Sequence, residues 1–600
     1  MKSTVFAKRL AKLRSAMAEA GLAAYVVLTS DPHLSEYLPE HWQTRQWLSG
    51  FTGSAGTLVV CANFAGLWAD SRYWEQAEAE LQGSGIQAMR LGDPDTDDYP
   101  QWLAQHLDSG DKVGVDGNTL SLRLQKHWQS IFDEKGLLLQ TEHNLVANIW
   151  PDQPPLPKAP IYRHDIAFAC RDRADKLAAV RQQMHDSQCR WHLVSSLDDI
   201  AWLLNLRGAD VDYNPVFLAH LLIGPDEAVL FVDQTKLDVA TRESLLADKV
   251  AVADYTAINR ALTKLPAQGS LLIDPARTTV GVLQAASHLT ITEGLNPSQR
   301  LKSRKSPHEL QHIRSAMRHD GAALCEFFAW LEAALERNET ITEWQIDEEI
   351  TLARSRQPHF ISPSFSTIAA FNANAAMPHY QASKSNHAQI SGDGLLLIDS
   401  GGQYLNGTTD ITRMVAIGRL SEAQKNDCTA VLKGMIALSQ AVFPRNLPAS
   451  RLDPIARSAL WAAEADYGHG TGHGVGYFLN VHEGPQAISW RAPDNPDAVM
   501  DEGMVTSNEP GLYRPGQWGV RIENLVACRL RATNAFGEFL EFETLTLCPI
   551  DTRCFTLSRL TASERRWLND YHQHVREQLL PLVKGSARDW LLARTSPLAS

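Results

Sequence analysis

An α/β (α+β) architecture in several domains is the fold class this 600-residue sequence predicts. Three observations predict it. The chain is too long for a single core, and ordinary domain sizes suggest roughly three or four. The stretch IWPDQPPLPKAP (Ile149 to Pro160) is proline-rich and aperiodic, so it reads as a linker after a first α/β region. Past residue 300, long helical periodicity gives way to short apolar runs that end on carboxylates, as the strands of a sheet would. The boundaries expected are 1–155, 156–300 and 301–600.

In chain order, MKSTVFAKRLAKLRSAMAEAGLAAYVVLTS opens the first domain. Its charges continue through Arg14 and Glu19, and the apolar run Gly21 to Leu28 is short. It therefore reads as an amphipathic helix entering a strand, not as a signal peptide. No run of about 18 apolar residues follows, so no membrane span is expected. The second domain faintly repeats the first: WLLNLRG…LLIGPDEAVLFVDQTKL from Trp202 echoes QWLSGFTG…LWADSRYW from Gln46. In each copy an acidic residue, Asp70 or Asp233, ends a strand, which reads as a duplication. Ser303 to Glu336 is a helix entered near Pro307. A second helix runs from Ser421 through Ser439. Thr561 to Val583 is a third, opened by a Thr-x-x-Glu capping box.

Composition excludes some classes. Net charge is −13, from 56 basic and 69 acidic residues, which argues against nucleic acid or an acidic membrane as partner. The eight cysteines form no CxxC pair and read as reduced thiols of a cytoplasmic protein.

The chemistry concentrates between Met377 and Leu525, in MPHY, LLLIDSGGQYLNGTTDITR, GHGTGHGVG with NVHEGP, VTSNEPGLY and GVRIENL. Asp399, Asp410, His473, Glu509 and Glu523 are the metal-ligand candidates, four carboxylates and one imidazole. Carboxylates converging on one spot repel each other unless cations intervene. Two divalent ions can share such a set and polarise one bridging water. Oxygen-rich donors with one imidazole favour Mn²⁺ over Zn²⁺ or Co²⁺. Leu395 to Ile398 is a buried strand ending at Asp399. Thr408 to Ile417 is a second strand, and a hairpin would bring Asp399 and Asp410 together. Val505 to Glu509 and Val520 to Val526 are two more strands. Arg521 would share a strand face with Glu523. The glycines of GHGTGHGVG would let the backbone pass close beside the metals. They lack the βαβ context of a dinucleotide loop, and no HExxH is present.

These five segments resemble the pita-bread metallopeptidase family of methionine aminopeptidase, prolidase and aminopeptidase P, which uses Asp, Asp, His, Glu, Glu in this order. Over nearly the whole chain the resemblance is to the long, three-domain Xaa-Pro aminopeptidases. It implies two creatinase-like N-terminal α/β domains followed by a C-terminal pita-bread catalytic domain with a C-terminal extension. It also implies that Asp399 holds one metal, His473 and Glu509 the other, and that Asp410 and Glu523 bridge. Glu509 would be the proton shuttle. His379 matches a substrate histidine, His482 an oxyanion-stabilising histidine and His469 a proline-pocket histidine. Arg72 matches an arginine that reaches the substrate, whereas Arg521 would act from behind the ligands. The implied substrates are peptides with proline in second position, cut before the proline, and the implied assembly is a homodimer. An X-Pro nitrogen has no hydrogen, so such bonds need a pocket shaped for the pyrrolidine ring. Prolidase, which cuts Xaa-Pro dipeptides, is the rival enzyme reading, usually with one N-terminal domain. Creatinase-like amidinohydrolases lack the metal ligands. A pita-bread binding module is the non-enzymatic reading, and the intact ligand set argues against it.

Overall fold

The computed structural model describes residues 2–93, 95–492 and 495–598. The chain divides into two compact units, Met1–Ser298 and Gln299–Ser600. Among the described residues no helix is long and apolar enough to cross a membrane.

In the first unit, helix α1 (Lys2–Glu19) leads into β1 (Ala24–Leu28), as its charge pattern implies. With β2 (Thr57–Cys61), β3 (Ala65–Ala69), β4 (Gln87–Arg90), β5 (Lys112–Val115) and β6 (Leu138–Gln140) it forms a sheet of order β4-β3-β2-β1-β5-β6. A second sheet contains β7 (Trp191–Val194), β8 (Ala219–Ile223), β9 (Ala228–Val232), β10 (Val250–Ala253), β11 (Ser270–Ile273) and β12 (Thr290–Glu293), in the order β10-β9-β8-β7-β11-β12. Counted from each first strand the two orders are the same. The directions agree too: β1–β2 and β7–β8 are antiparallel, β1–β5 and β7–β11 parallel.

The repeat reaches one turn. Asp70 follows β3 and accepts from the Arg72 amide at 3.1 Å; Asp233 follows β9 and accepts from the Thr235 amide at 2.9 Å. Such Asx turns satisfy amides that the strand has left behind. In the first copy the Arg72 guanidinium folds back onto Asp70 at 2.8 Å; the second copy has Thr235 at the matching place.

In the second unit, α2 (Pro307–Glu336) starts at Ser306, whose hydroxyl accepts from the Glu309 amide while Glu309 accepts from the Ser306 amide. This capping box satisfies two end amides reciprocally. A three-stranded antiparallel sheet holds β13 (Ile368–Phe371), β14 (Gly394–Ser400) and β15 (Ile411–Ile417), with β14 central. All seven β14 residues are buried. Leu396 and Ile398 pack with Phe327, Phe328 and Leu331 of α2. Leu395 and Leu397 face Val431, Leu432 and Met435 of α3 (Glu422–Ser439). A strand buried on both faces reads as an unbroken apolar run, hence LLLI.

A six-stranded sheet combines β16 (Val442–Pro444), β17 (Gly472–Gly474), β18 (Glu483–Ile488), β19 (Val505–Asn508), β22 (Asn524–Asn534) and β23 (Gly537–Thr544), in the order β16-β23-β22-β19-β17-β18. Between β19 and β22 the chain makes a separate ribbon of β20 (Gly511–Arg514) and β21 (Trp518–Arg521). Helix α4 (Ala562–Leu579) begins with the Thr561–Glu564 capping box expected from sequence.

Two strand readings need correction. Thr408 to Ile417 is not continuous: pairing stops after Thr408 and resumes at Ile411. Val520 to Val526 breaks after Arg521 and resumes at Asn524. Asp410 and Glu523 stand in the two breaks, where the chain changes pairing partner. The Glu523 amide, for example, donates to the Thr412 carbonyl of the three-stranded sheet at 3.2 Å.

Candidate metal centre

The five ligand candidates arrive from strand ends of both sheets. Asp399 lies on β14 opposite Thr412 of β15, and Ser400 lies opposite Ile411. This register brings Asp399 beside Asp410, the residue just before β15. His473 is the middle residue of β17. Glu509 follows β19, its amide donating to the Thr471 carbonyl at 2.8 Å. Glu523 precedes β22.

The structure gathers these side chains. Asp410, His473 and Glu523 each offer a ligand atom, and those atoms lie within 4.8 Å of one another. His473 Nε2 is 3.6 Å from Asp410 Oδ2 and 3.3 Å from Glu509 Oε1. The imidazole Nδ1–H donates to the Gly474 carbonyl at 3.0 Å. That bond fixes the tautomer and turns the Nε2 lone pair toward the carboxylates. Ser507 Oγ accepts from the His473 amide at 2.9 Å and donates to Glu509 Oε1 at 3.1 Å, so one hydroxyl ties two ligands together.

Arg521 lies behind the cluster. Its Nη2 donates to Asp399 Oδ2 at 2.6 Å, its Nε to Thr412 Oγ1 at 3.2 Å and its Nη1 to the Tyr513 hydroxyl at 2.8 Å. The strand-face reading had linked Arg521 with Glu523. The chain breaks between them, and the guanidinium meets Asp399 instead. Thr412 Oγ1 then donates to Glu523 Oε2 at 2.9 Å.

Asp399 Oδ1 and Glu523 Oε1 are buried and make no hydrogen bond among the described residues. A buried anionic oxygen without a partner is costly. Burial first, then repulsion from the other acids, pushes Asp410 and Glu523 well above the carboxylate range. Burial lifts Glu509 to about 7, with Arg521 opposing and Asp399 adding. Divalent cations relieve both conditions, and the donor set is one they accept. The residues therefore fit two metal ions.

The histidines divide by location. His482, just before β18, has its ring centroid 4.3 Å from that of His473, edge to face. His469 donates from Nδ1 to the Gly470 carbonyl and accepts at Nε2 from the Tyr513 hydroxyl, both at 2.8 Å. Tyr513 thus links His469 to Arg521 and Asp399. His379 lies on a half-buried turn after Asn372–Ala376. That segment is held by the buried Glu343 carboxylate, which accepts from the Phe371 amide, Asn374 Nδ2, the Tyr380 hydroxyl and the Ala388 amide at 2.6–3.0 Å. Arg72 belongs to the first unit, paired with Asp70.

Tyr513, Thr412 and Glu343 were missed by sequence reasoning. Tyr513 stood inside the quoted VTSNEPGLY motif, and the hairpin spacing to Arg521 was a usable signal. Glu343 gave none. The glycine reading also changes. A Cβ on Gly472 would fall 2.1 Å from the Ser507 carbonyl, and one on Gly474 2.1 Å from the Glu483 carbonyl. These glycines let β17 fit between neighbouring strands.

Comparison with known proteins follows the same division. Residues 311–529 match the model of metallopeptidase family M24, and 538–598 that of the C-terminal region of peptidase M24. Residues 9–143 and 152–309 each match a creatinase/prolidase N-terminal domain. Aminopeptidase P2 of Arabidopsis thaliana is 38% identical, over 99% of this chain and 88% of that protein. Xaa-Pro aminopeptidase 1 of Dictyostelium discoideum is 36% identical over 100% and 97%. The solved X-prolyl aminopeptidase of Caenorhabditis elegans, described as a cytosolic enzyme with a di-nuclear active site, superposes with a TM-score of 0.94 at 32% identity, covering 99% and 100%.

Proposed function

This chain belongs to metallopeptidase family M24, and from that premise we propose that it is an Xaa-Pro aminopeptidase. It releases the first residue from peptides whose second residue is proline. The observation that carries this is the convergence of Asp410, His473 and Glu523 within 4.8 Å, with buried unpartnered oxygens on Asp399 and Glu523. Full-length likeness to proteins named Xaa-Pro aminopeptidases supports the substrate class. It favours this reading over prolidase, and the intact ligand set favours it over a binding module.

Asp399, Asp410, His473, Glu509 and Glu523 would hold two divalent ions, Mn²⁺ by preference for an oxygen-rich set, with Zn²⁺ or Co²⁺ next. When bound, the ions supply Lewis-acid polarisation of the scissile carbonyl and acidify a water at neutral pH. The rest falls to the chain. An acid of the cluster orients the peptide's free α-amine at the metal site, which limits cutting to the first bond. Glu509 accepts a proton and passes it to the leaving prolyl nitrogen. Like any amide nitrogen, it must be protonated to leave as an amine. His482 donates to the developing oxyanion. His379 and His469 contact the substrate, His469 on the pyrrolidine side. Arg521 holds Asp399 in place through its guanidinium. A cytoplasmic homodimer is the setting this reading carries; sedimentation of the purified protein tests the assembly.

The test is hydrolysis by metal-stripped protein given Mn²⁺. Arg-Pro-Pro should release arginine in a metal-dependent way, and Arg-Ala-Pro should release little. Cleavage of the Arg-Pro dipeptide alone would mean prolidase. No cleavage with metal bound would favour the binding module.

A further inference from the structure

The segment carrying His469 is rich in glycine. Tyr467 to Gly474 has glycine at every second position from Gly468, and regular pairing begins only at Gly472. Such a chain loses much conformational entropy on fixing. His473 is secured by the strand it sits in and by Ser507. His469 lies outside that strand, where its backbone takes a separate hold.

Arg457 supplies one. It lies on the helix Asp453–Trp461 and is 1% exposed. Its Nη2 donates to the His469 carbonyl at 2.7 Å, and its Nη1 to the Tyr467 carbonyl at 2.9 Å and to Asp466 Oδ1 at 2.6 Å. Its Nε donates to Asp453 Oδ2 at 2.8 Å, and its Cζ lies 3.8 Å from the Tyr467 ring centroid. Fully buried Asp453 completes the grip: Oδ1 accepts from the Thr471 hydroxyl, itself bonded to the Tyr467 hydroxyl, and Oδ2 from the Trp490 amide at 2.8 Å. Carbonyls 467 and 469 and the side chain of 471 are thus set from one ion pair. The planar fork of arginine can reach several acceptors at once; a lysine cannot. A buried ion pair is poor evidence for stability but suits a role in choosing one conformation.

We propose that Arg457 and Asp453 are positioning residues for substrate recognition, presenting His469 to the proline side of the peptide while leaving the metal ligands to the sheet. This rests on the aminopeptidase reading and on the role given there to His469.

The test compares wild type with Arg457→Lys and Thr471→Val, the second cutting the Asp453 link without touching the charge pair. Each variant should keep its metal content and its fold, with a thermal midpoint lowered only by the lost buried hydrogen bonds. KM for Arg-Pro-Pro should rise about tenfold or more with kcat changed less than about threefold, the pattern of lost uniform binding. Binding of Pro-Pro to metal-free protein, read by calorimetry, should weaken in parallel. If KM and Pro-Pro affinity stay at wild-type values in both variants, the proposal is overturned. It is also overturned if metal, thermal midpoint and kcat fall together in Thr471→Val, which would mean a purely structural role. If Arg457→Lys does not fold, Thr471→Val decides by the same readouts. A wild type inactive on Arg-Pro-Pro would sink the aminopeptidase reading instead, a result distinct from unchanged variants of an active enzyme.

Discussion

Arg521 Nη2 sits 2.6 Å from Asp399 Oδ2, deep inside a cluster of acids, and the same guanidinium reaches Tyr513. Burial alone would lower its proton affinity, but Tyr513, Asp399 and Glu509 overcome this and raise it well above the ordinary value. Its charge is therefore permanent at any working pH. Arg521→Ala should lower kcat/KM or metal affinity by about 10–100-fold, the usual effect of losing a group that orients a ligand. Titration with Mn²⁺ followed by initial rates separates the two.

Glu523→Gln should reduce bound metal from two equivalents toward one and abolish metal-dependent release of arginine from Arg-Pro-Pro. Elemental analysis after dialysis checks it. Two equivalents retained with full activity would remove Glu523 from the ligand set.

His482→Ala should cost about 10²–10³-fold in kcat with little change in KM, because a donor to an oxyanion acts mainly in the transition state. Metal content should be unchanged. A mutant failing chiefly through KM would assign His482 to ground-state binding.

Glu343→Gln should destabilise the protein by about 2–4 kcal/mol, since hydrogen bonds to charged groups are worth roughly 1.5–3 kcal/mol each and are not additive. The two backbone donors, Phe371 and Ala388, go to different oxygens of the carboxylate, so an amide must turn its NH₂ toward one of them. Denaturant melts of the metal-free protein give the number directly. An unchanged midpoint would mean that this segment, with His379, is held by other contacts.

Metal-linked stabilisation should grow with pH. Folding raises Glu509 to about 7, and raises Asp410 and Glu523 further. The metal-free fold thus holds protons that the unfolded chain has released, and their contribution to stability is present at low pH and lost as pH rises through the folded values. Cations displace those protons. The difference in thermal midpoint between metal-loaded and metal-free protein should therefore widen from pH 5 to pH 8. Taking the difference removes buried histidines such as His192 and His572, both lowered to about 4 mainly by burial, whose contribution has the opposite sign. A gap that narrows over this range would contradict the raised affinities.

Most of the architecture could be read from the sequence because periodicity and capping are local. Pro307, the Thr561–Glu564 box and the LLLI run each gave a correct element. The candidate ligands could be picked out because residue type and neighbourhood mark them, and the structure brings Asp410, His473 and Glu523 together. The breaks at Asp410 and Glu523 were not, since a β-branched run such as Val520 to Val526 favours a strand whatever its hydrogen-bond partner. Arg521 was read as orienting Glu523 or neutralising the acidic cluster; the structure pairs it with Asp399, because alternation predicts a face only while the strand continues. Glu343 and Arg457 were invisible because their importance lies in which distant carbonyls and amides they meet.

The four carboxylates and one imidazole occupy positions 399 to 523 and come together only when two sheets and a separate ribbon are all in place. No shorter fragment emerging during synthesis contains the whole set. Cofactor acquisition must then follow tertiary assembly, because loop closure over such separations is entropically expensive without the surrounding core. This ordering delays catalytic competence until synthesis is past the last ligand.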